Sequence, residues 1–354
     1  MKIRKSAIPG ILLLVLALLL FSCNRKVNQK TSHSGIEYYR NLLFSETPYD
    51  IERGTHPVTP EEAKTINSYK FTYDNAGRLL SVEYMRNGHL LGYSSMGEAA
   101  RITYKYNGNQ QIKHFFNKNN QPTESAGVFA LMYMLDDDGN RVGLMCLGKD
   151  GSMVENRNKI HSWKWSILDN GMVKENRYNL KNEETVMNQY CPFYELRFTY
   201  DKNGYVRRMA NYMADTLYNC TAENCGDIGV SYFAFSPDNY GDVDTFAVYN
   251  VIGQMSNLYW GWSKRISKFD RNGYVLETIY IDQDNEYLSG NNVPVIQYEY
   301  DEHGAPIVVK NLDRDRNLMN NPGNGVAITE YRYNDLGERI ETLRYDMDHN
   351  PVNM

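Results

Sequence analysis

Five cysteines, seven histidines and a series of alternating aspartates are the residues of this 354-residue chain best equipped for chemistry. Cys220 and Cys225 enclose Thr221-Ala222-Glu223-Asn224. With no histidine close in sequence and no C-x-x-C spacing, the pair suits a disulfide that staples its loop better than a zinc site. Cys146 and Cys191 stand apart and read as small buried hydrophobes, since a nucleophilic thiol needs a base that no motif supplies. Asp282-x-Asp284, Asp313-x-Asp315 and Asp346-x-Asp348 have the alternate carboxylates that open a calcium loop. Val293 and Asn324 stand where the first two would need their bidentate acid, so solvated turns are expected and no metal is. The histidines are scattered singly and read as surface residues. Tyr259, Trp260 and Trp262 form the one aromatic cluster outside a regular pattern. Exposed, they would stack a sugar or anchor a protein partner; buried, they would replace the aromatic stripe of their unit. Gly92 to Gly97 lacks the spacing of a nucleophile elbow, and no phosphate loop or dinucleotide fingerprint is present. No catalytic residue and no cofactor is therefore expected, and the protein reads as non-enzymatic.

The elements that would carry these residues are set by a repeat. Turn glycines recur at Gly77, Gly108, Gly139, Gly171, Gly204, Gly241, Gly273, Gly304 and Gly337, spaced 31 to 37 residues apart. Asp or Asn stands three residues earlier in seven of these nine units: Asp74, Asp136, Asp201, Asp238, Asp270, Asp301 and Asn334. The side-chain oxygen can bond the backbone just downstream while glycine supplies positive φ, so Asp-x-x-Gly is a turn with a mechanism. Aromatic residues alternate before it, as in Tyr69-x-Phe71-x-Tyr73 and Ile296-x-Tyr298-x-Tyr300, the period of a half-buried strand. Trp163-x-Trp165 fits the same stripe and reads as core. A second Asp or Asn follows each glycine by eleven residues in seven units, from Asn119 to Asp348, and marks a second turn. About nine hairpin units thus fill residues 66–354. One hairpin cannot bury its face, whereas stacked neighbours can. The expected fold is all-β, an antiparallel hairpin array that coils as a sheet or solenoid with its aromatic face inward.

Lined up in this way, Phe71-Thr72-Tyr73-Asp74-Asn75-Ala76-Gly77-Arg78-Leu79 and Tyr331-Arg332-Tyr333-Asn334-Asp335-Leu336-Gly337 resemble the tyrosine–aspartate (YD, or RHS-type) repeats of bacterial envelope and secreted proteins. The resemblance implies a β-hairpin array with a structural or binding role. Ahead of the array, residues 35–65 are expected to form a helical cap. Ile36, Tyr39, Leu42 and Leu43 have helical spacing, and Thr59-Pro60-Glu61-Glu62 has the marks of a helix start. Such a cap would protect the open strand edge.

The N-terminus reads as an address. Lys2, Arg4 and Lys5 precede an apolar run from Ile11 to Phe21, too short to span a membrane comfortably, as in a secretory signal over residues 1–22. Leu20-Phe21-Ser22-Cys23 resembles the lipobox of bacterial lipoproteins. That resemblance implies diacylation of Cys23 and a mature chain held by lipid, with residues 23–34 as its tether. Loss of the three basic residues takes the net charge from −5 to −8. This acidic balance lacks the basic footprint of a nucleic-acid partner. At 42% hydrophobic and 23% charged, the composition also excludes disorder and a multi-span membrane protein. Asn24-Arg25-Lys26 after the cysteine favours the periplasmic face of the outer membrane over the cell surface. The functional expectation is an envelope lipoprotein whose repeat surface binds a protein partner or builds an assembly. The alternative is a lipoprotein that binds glycan or cell wall through exposed Tyr and Trp.

Overall fold

The structure, a computed structural model, describes residues 33–92, 96–188, 191–218, 229–258, 260–290 and 292–353. Cys23, Cys220, Cys225 and Tyr259, and with them the lipidation and disulfide expectations, lie outside the described residues.

Each of the nine glycines turns an antiparallel hairpin, from Ser68–Tyr73 with Leu79–Arg86 to Ile328–Tyr333 with Arg339–Tyr345. At the first turn, Asp74 Oδ1 accepts the N–H groups of Ala76 and Arg78, both at 2.9 Å, and Gly77 has φ of +77°. Asp201 and Asp301 repeat the pattern. The Asp or Asn does more than close the turn. In the seven units that carry it the register slips by one residue just before the turn, as between Thr72 and Tyr73 or Glu299 and Tyr300. The two units with Lys105 and Leu168 in its place keep a regular register. A bulge bends its strand and raises local twist, so seven bulges along one rim coil the sheet.

The second turn is built from the same device, two residues earlier than the sequence landmark suggests. Asp282, Asp313 and Asp346 each use Oδ1 to accept two main-chain N–H groups of their own turn. Those oxygens serve the backbone. Among the described residues no three His, Cys, Asp or Glu side chains gather as a metal would require.

The helices expected over residues 35–65 do not form. Gly35–Leu42 is a strand that pairs antiparallel with Ser68–Tyr73 of the first hairpin and, on its other side, with Gly54–Val58. The local helical spacing loses because the first hairpin offers a free ladder edge, and pairing satisfies a whole row of backbone groups. Thr59 does cap a helix start, accepting the N–H of Glu62 at 3.1 Å. Only the 3-10 turn Glu62–Lys64 follows before Ser68–Tyr73 begins. The strand edge is capped by a β-hairpin, not by helices.

All 23 strands of the described residues belong to one sheet, which is open in its hydrogen bonding and coils until its last units meet its first. Asn67 N–H donates to His303 O at 2.8 Å, Asn41 Nδ2 to Gly273 O at 2.9 Å, and Lys118 pairs with Glu338. Inward stripes fill the coil with one aromatic-rich core that includes Phe71, Tyr133, Trp163, Trp165, Phe198 and Phe235. The seam where the coil meets itself is tight. Gly273 has φ of +83°, and a Cβ there would overlap the His56 ring and the Asn41 amide. Gly273→Ala is accordingly expected to lower unfolding free energy by about 2–3 kcal/mol, read from urea midpoints. Gly151→Ala, also at positive φ but in open space, is the comparison and should lose about 1 kcal/mol. Equal losses would dismiss the packed seam.

Candidate functional site

The strands Gly35–Leu42 and Gly54–Val58 are joined by residues 43–53, a loop that closes with Leu43 N–H to Arg53 O at 2.8 Å and projects into the coil. Its apolar residues continue the aromatic core. The Phe44 ring lies 5.1 Å from Phe235, and Tyr49 lies 5.5 Å from Trp165. Its polar groups meet side chains from hairpin after hairpin in an axial network.

Four interior clusters and two rim contacts make up the network. Glu52 accepts from Tyr104 and pairs with Lys113. Burial alone would raise its carboxyl, but the charges of Lys113 and Arg141 outweigh that and hold it at about 2. Arg141, buried over the Tyr133 ring at 3.7 Å, donates to the carbonyls of Pro48 at 3.0 Å and Asp50 at 2.5 Å, and to Gln111 Oε1 at 2.8 Å. Glu175 receives Thr47 Oγ1 at 2.5 Å, Trp165 Nε1 at 2.9 Å and Arg177 at 2.5 Å. Arg177 also donates to the carbonyls of Phe193 and Tyr194. Asp50 takes the Tyr200 hydroxyl at 2.9 Å, yet burial still pushes its carboxyl up to about 6. At the rim, His56 Nε2 and Asp242 lie 2.6 Å apart and Arg53 donates to Gly204 O at 2.8 Å.

Glu46, near the tip of the loop, differs from these carboxylates. It forms no hydrogen bond or ion pair among the described residues, and burial pushes its carboxyl up to about 7 against the pull of Arg265. An interior space of about 2380 Å³ runs between the loop and the inner walls of the hairpins. Arg265, Ser267, Thr278, Tyr280 and Tyr298 line it on the side of the later hairpins.

The residues singled out by sequence are placed as follows. Trp260 and Trp262 stack on each other at 4.8 Å, and Trp260 Nε1 donates to Trp262 O at 2.9 Å. Both are half-buried, with Trp262 against Phe246 and Tyr280. Trp163 and Trp165 are core. Cys146 is fully buried and Cys191 partly, and burial raises both thiols to about 12, which leaves them unreactive. His56 and His161 are buried, against the surface reading of the histidines; His161 holds Val154 O at 2.9 Å.

The axial network itself escaped the sequence reading. One signal was available: Val173-x-Glu175-x-Arg177 places charge on an inward stripe that is apolar elsewhere. What it could not supply is the partner, because Thr47 lies 128 residues away from Glu175.

No family profile matches this chain, and no curated protein does. Among solved structures it is similar to the TcdB2-TccC3-Cdc42 crystal structure, with 11% identity and a TM-score of 0.31 over 79% of this chain and 12% of that one. A second TcdB2-TccC3 structure, without the hypervariable C-terminal region, gives 12% identity and a TM-score of 0.29 over 78% of this chain and 13% of that one. This chain thus spans a small part of both. A porin-like protein from Bacteroides uniformis gives 12% identity and a TM-score of 0.27 over 88% of this chain and 94% of that one. Likenesses of this size say nothing about ligand or partner.

Proposed function

We propose that this protein is a non-enzymatic, lipid-anchored lipoprotein of the bacterial envelope, with YD-type repeats, whose coiled repeat surface binds another protein or builds an assembly. One observation carries the reading. The acids, bases and hydroxyls drawn together inside the coil, Glu52 with Lys113, Arg141, Glu175 with Arg177, and Asp50 with Tyr200, are engaged in holding the chain's own N-terminal loop. A rigid coil presents its two rims of turns to a partner. Both rims are built on Asx turns whose intervening residues can vary without disturbing the ladder. The Cys23 lipobox and acidic mature charge support an anchored body that stands off an anionic membrane. No helix among the described residues is long and apolar enough to cross a membrane, which leaves strand-based spanning untouched. The deciding experiment is affinity capture from native envelopes with lipidated, tagged protein and mass spectrometry. One saturable protein partner is the expected result; recovery of polysaccharide or peptidoglycan alone overturns it.

Glycan binding is the second reading, favoured by the stacked, half-exposed Trp260 and Trp262. It predicts that Trp260→Ala abolishes retention on a peptidoglycan column while circular dichroism is unchanged. The packing against Phe246 and Tyr280 predicts instead that Trp262→Ala lowers stability by about 2–3 kcal/mol, measured by urea unfolding. A folded Trp260→Ala variant with unaltered retention dismisses the stacking platform.

A further inference from the structure

Two inward arginines, Arg141 and Arg177, are held by hydrogen bonds to the loop or the sheet. Arg141 has carbonyl and amide acceptors, and Arg177 has Glu175 and two carbonyls, with only its Nε left over. Arg265, on the strand Lys264–Phe269, faces inward without such bonds. Its Nε is buried without an acceptor, and its guanidinium makes no hydrogen bond or ion pair among the described residues. Arg265 is half-buried, and a guanidinium in a cavity wall with no hydrogen-bonded counter-ion offers an anion a place.

The surroundings define that anion further. Arg265 faces the interior space beside Ser267, Thr278, Tyr280 and Tyr298, all on strands of the seventh and eighth hairpins. The Phe246 ring lies 5.7 Å from its guanidinium carbon. A planar guanidinium favours the fork of a carboxylate, and the aromatic and hydroxyl lining suits a small body with apolar faces and polar edges. An extended peptide suits it less, because this wall is a sheet face whose main-chain groups are engaged in ladders, leaving few partners for a peptide backbone. We infer that Arg265 anchors a second interior site for a small carboxylate-bearing molecule, with the carboxylate on the guanidinium and the body against Tyr280 and Tyr298. This inference stands apart from the protein-binding reading above: either can fail alone.

Glu46, whose loop neighbours Phe44, Ser45 and Pro48 line the same space as Arg265, makes the site sensitive to pH. Arg265 is the strongest charge acting on it, and burial together with Glu175 and Asp50 holds its carboxyl at about 7. The other charged groups facing this part of the loop are already engaged: Glu175 with Arg177, Asp50 with Tyr200, and Glu52 with Lys113. The Cys191 thiol, also near Glu46, stays protonated throughout the range of interest. Above pH 7 an ionised Glu46 competes with the ligand for Arg265 and repels it; below pH 7 it is neutral and does neither. Affinity should therefore rise as pH falls from 8 to 6, by roughly tenfold.

The test uses the full chain in detergent, with sodium glucuronate, sodium succinate and neutral glucose as probes. Trp262, 5.2 Å from Tyr280, serves as the fluorescent reporter, and calorimetry confirms the binding. Saturable binding of an anionic probe, tighter at pH 6, with none for glucose, is the expected result. Glucuronate without succinate assigns an acidic sugar; succinate without glucuronate assigns a free carboxylic acid. Arg265→Gln should weaken binding at least tenfold with the circular dichroism unchanged. Glu46→Gln, which leaves the anchor in place, should flatten the pH dependence and tighten binding at pH 8. It decides the matter should Arg265→Gln not fold. Absence of saturable binding by both anions at pH 6, binding unaltered in a folded Arg265→Gln protein, or an unchanged pH profile in Glu46→Gln overturns the proposal.

Discussion

Replacing Arg141 with methionine is expected to lower unfolding free energy by about 3–5 kcal/mol, the largest loss of any single substitution in the axial network. The argument is one of stranded partners. Methionine keeps much of the stem's volume over Tyr133 but leaves the carbonyls of Pro48 and Asp50 and the Gln111 amide oxygen without their donor. Each buried acceptor left unsatisfied costs about 1–3 kcal/mol. Glu52 also loses one of the two charges that keep it ionised, since Arg141 stands second only to Lys113 in that role. Urea unfolding followed by tryptophan fluorescence gives the number. Arg332→Met is the control. Arg332 pairs with Glu341 at 2.8 Å on the exposed face, where such a pair contributes about 0–1 kcal/mol. A loss at Arg141 no larger than that at Arg332 would mean that the loop is not held by its polar contacts.

The second large effect is on pH. Stability should peak near pH 5 and fall in both directions. Burial raises Glu46 from 4.5 to about 7 and Asp50 from 3.8 to about 6, so folding takes up protons between the unfolded and folded values. Their contribution is fully present below about pH 4 and is lost as pH rises through 6 and 7. Each pH unit between the unfolded and folded values corresponds to about 1.4 kcal/mol. With allowance for residual solvation, each of the two carboxyls therefore costs about 2 kcal/mol at pH 8. Glu52 has the opposite sign. Its folded value of about 2 lies below the unfolded 4.5, so its contribution is present above pH 4.5 and is lost as pH falls toward 2. The turn carboxylates Asp74, Asp136, Asp313 and Asp346, lowered chiefly by hydrogen bonds within their turns, act in the same direction. Urea midpoints from pH 3 to 9 at constant ionic strength should trace this dome. Glu46→Gln should raise the alkaline limb by about 2 kcal/mol at pH 8 and leave the acid limb alone. A profile flat from pH 5 to 8 would contradict the burial that raises Glu46 and Asp50.

The two predictions depend on different parts of the chain, and only some of those parts could be read in advance. The hairpins were legible because their determinants are local. Asp74 bonds Ala76 and Arg78, and Gly77 supplies the positive φ, all within a few residues. The alternation Tyr69-x-Phe71 then decides which face is buried. Even the coiling was latent in the sequence, since the bulges occur in the units that have Asp or Asn before the glycine and not at Lys105 or Leu168.

The capping segment was misread because residues 35–42 have helical spacing locally while their energy comes from a ladder edge on Ser68–Tyr73. The pairing of that edge is a long-range event, and local propensity carries no information about it. The axial network was out of reach for the same reason. Glu52 finds Lys113, Arg141 finds the carbonyls of residues 48–50, Glu175 finds Thr47 and His56 finds Asp242, over separations of 61 to 186 residues. Sequence alone determined the repeating unit, its turns and its buried face, because these rest on interactions that span a few positions. Only the tertiary structure decided what fills the coil and which charges are paired, because burial and partner choice arise when the whole sheet closes around its own N-terminal loop.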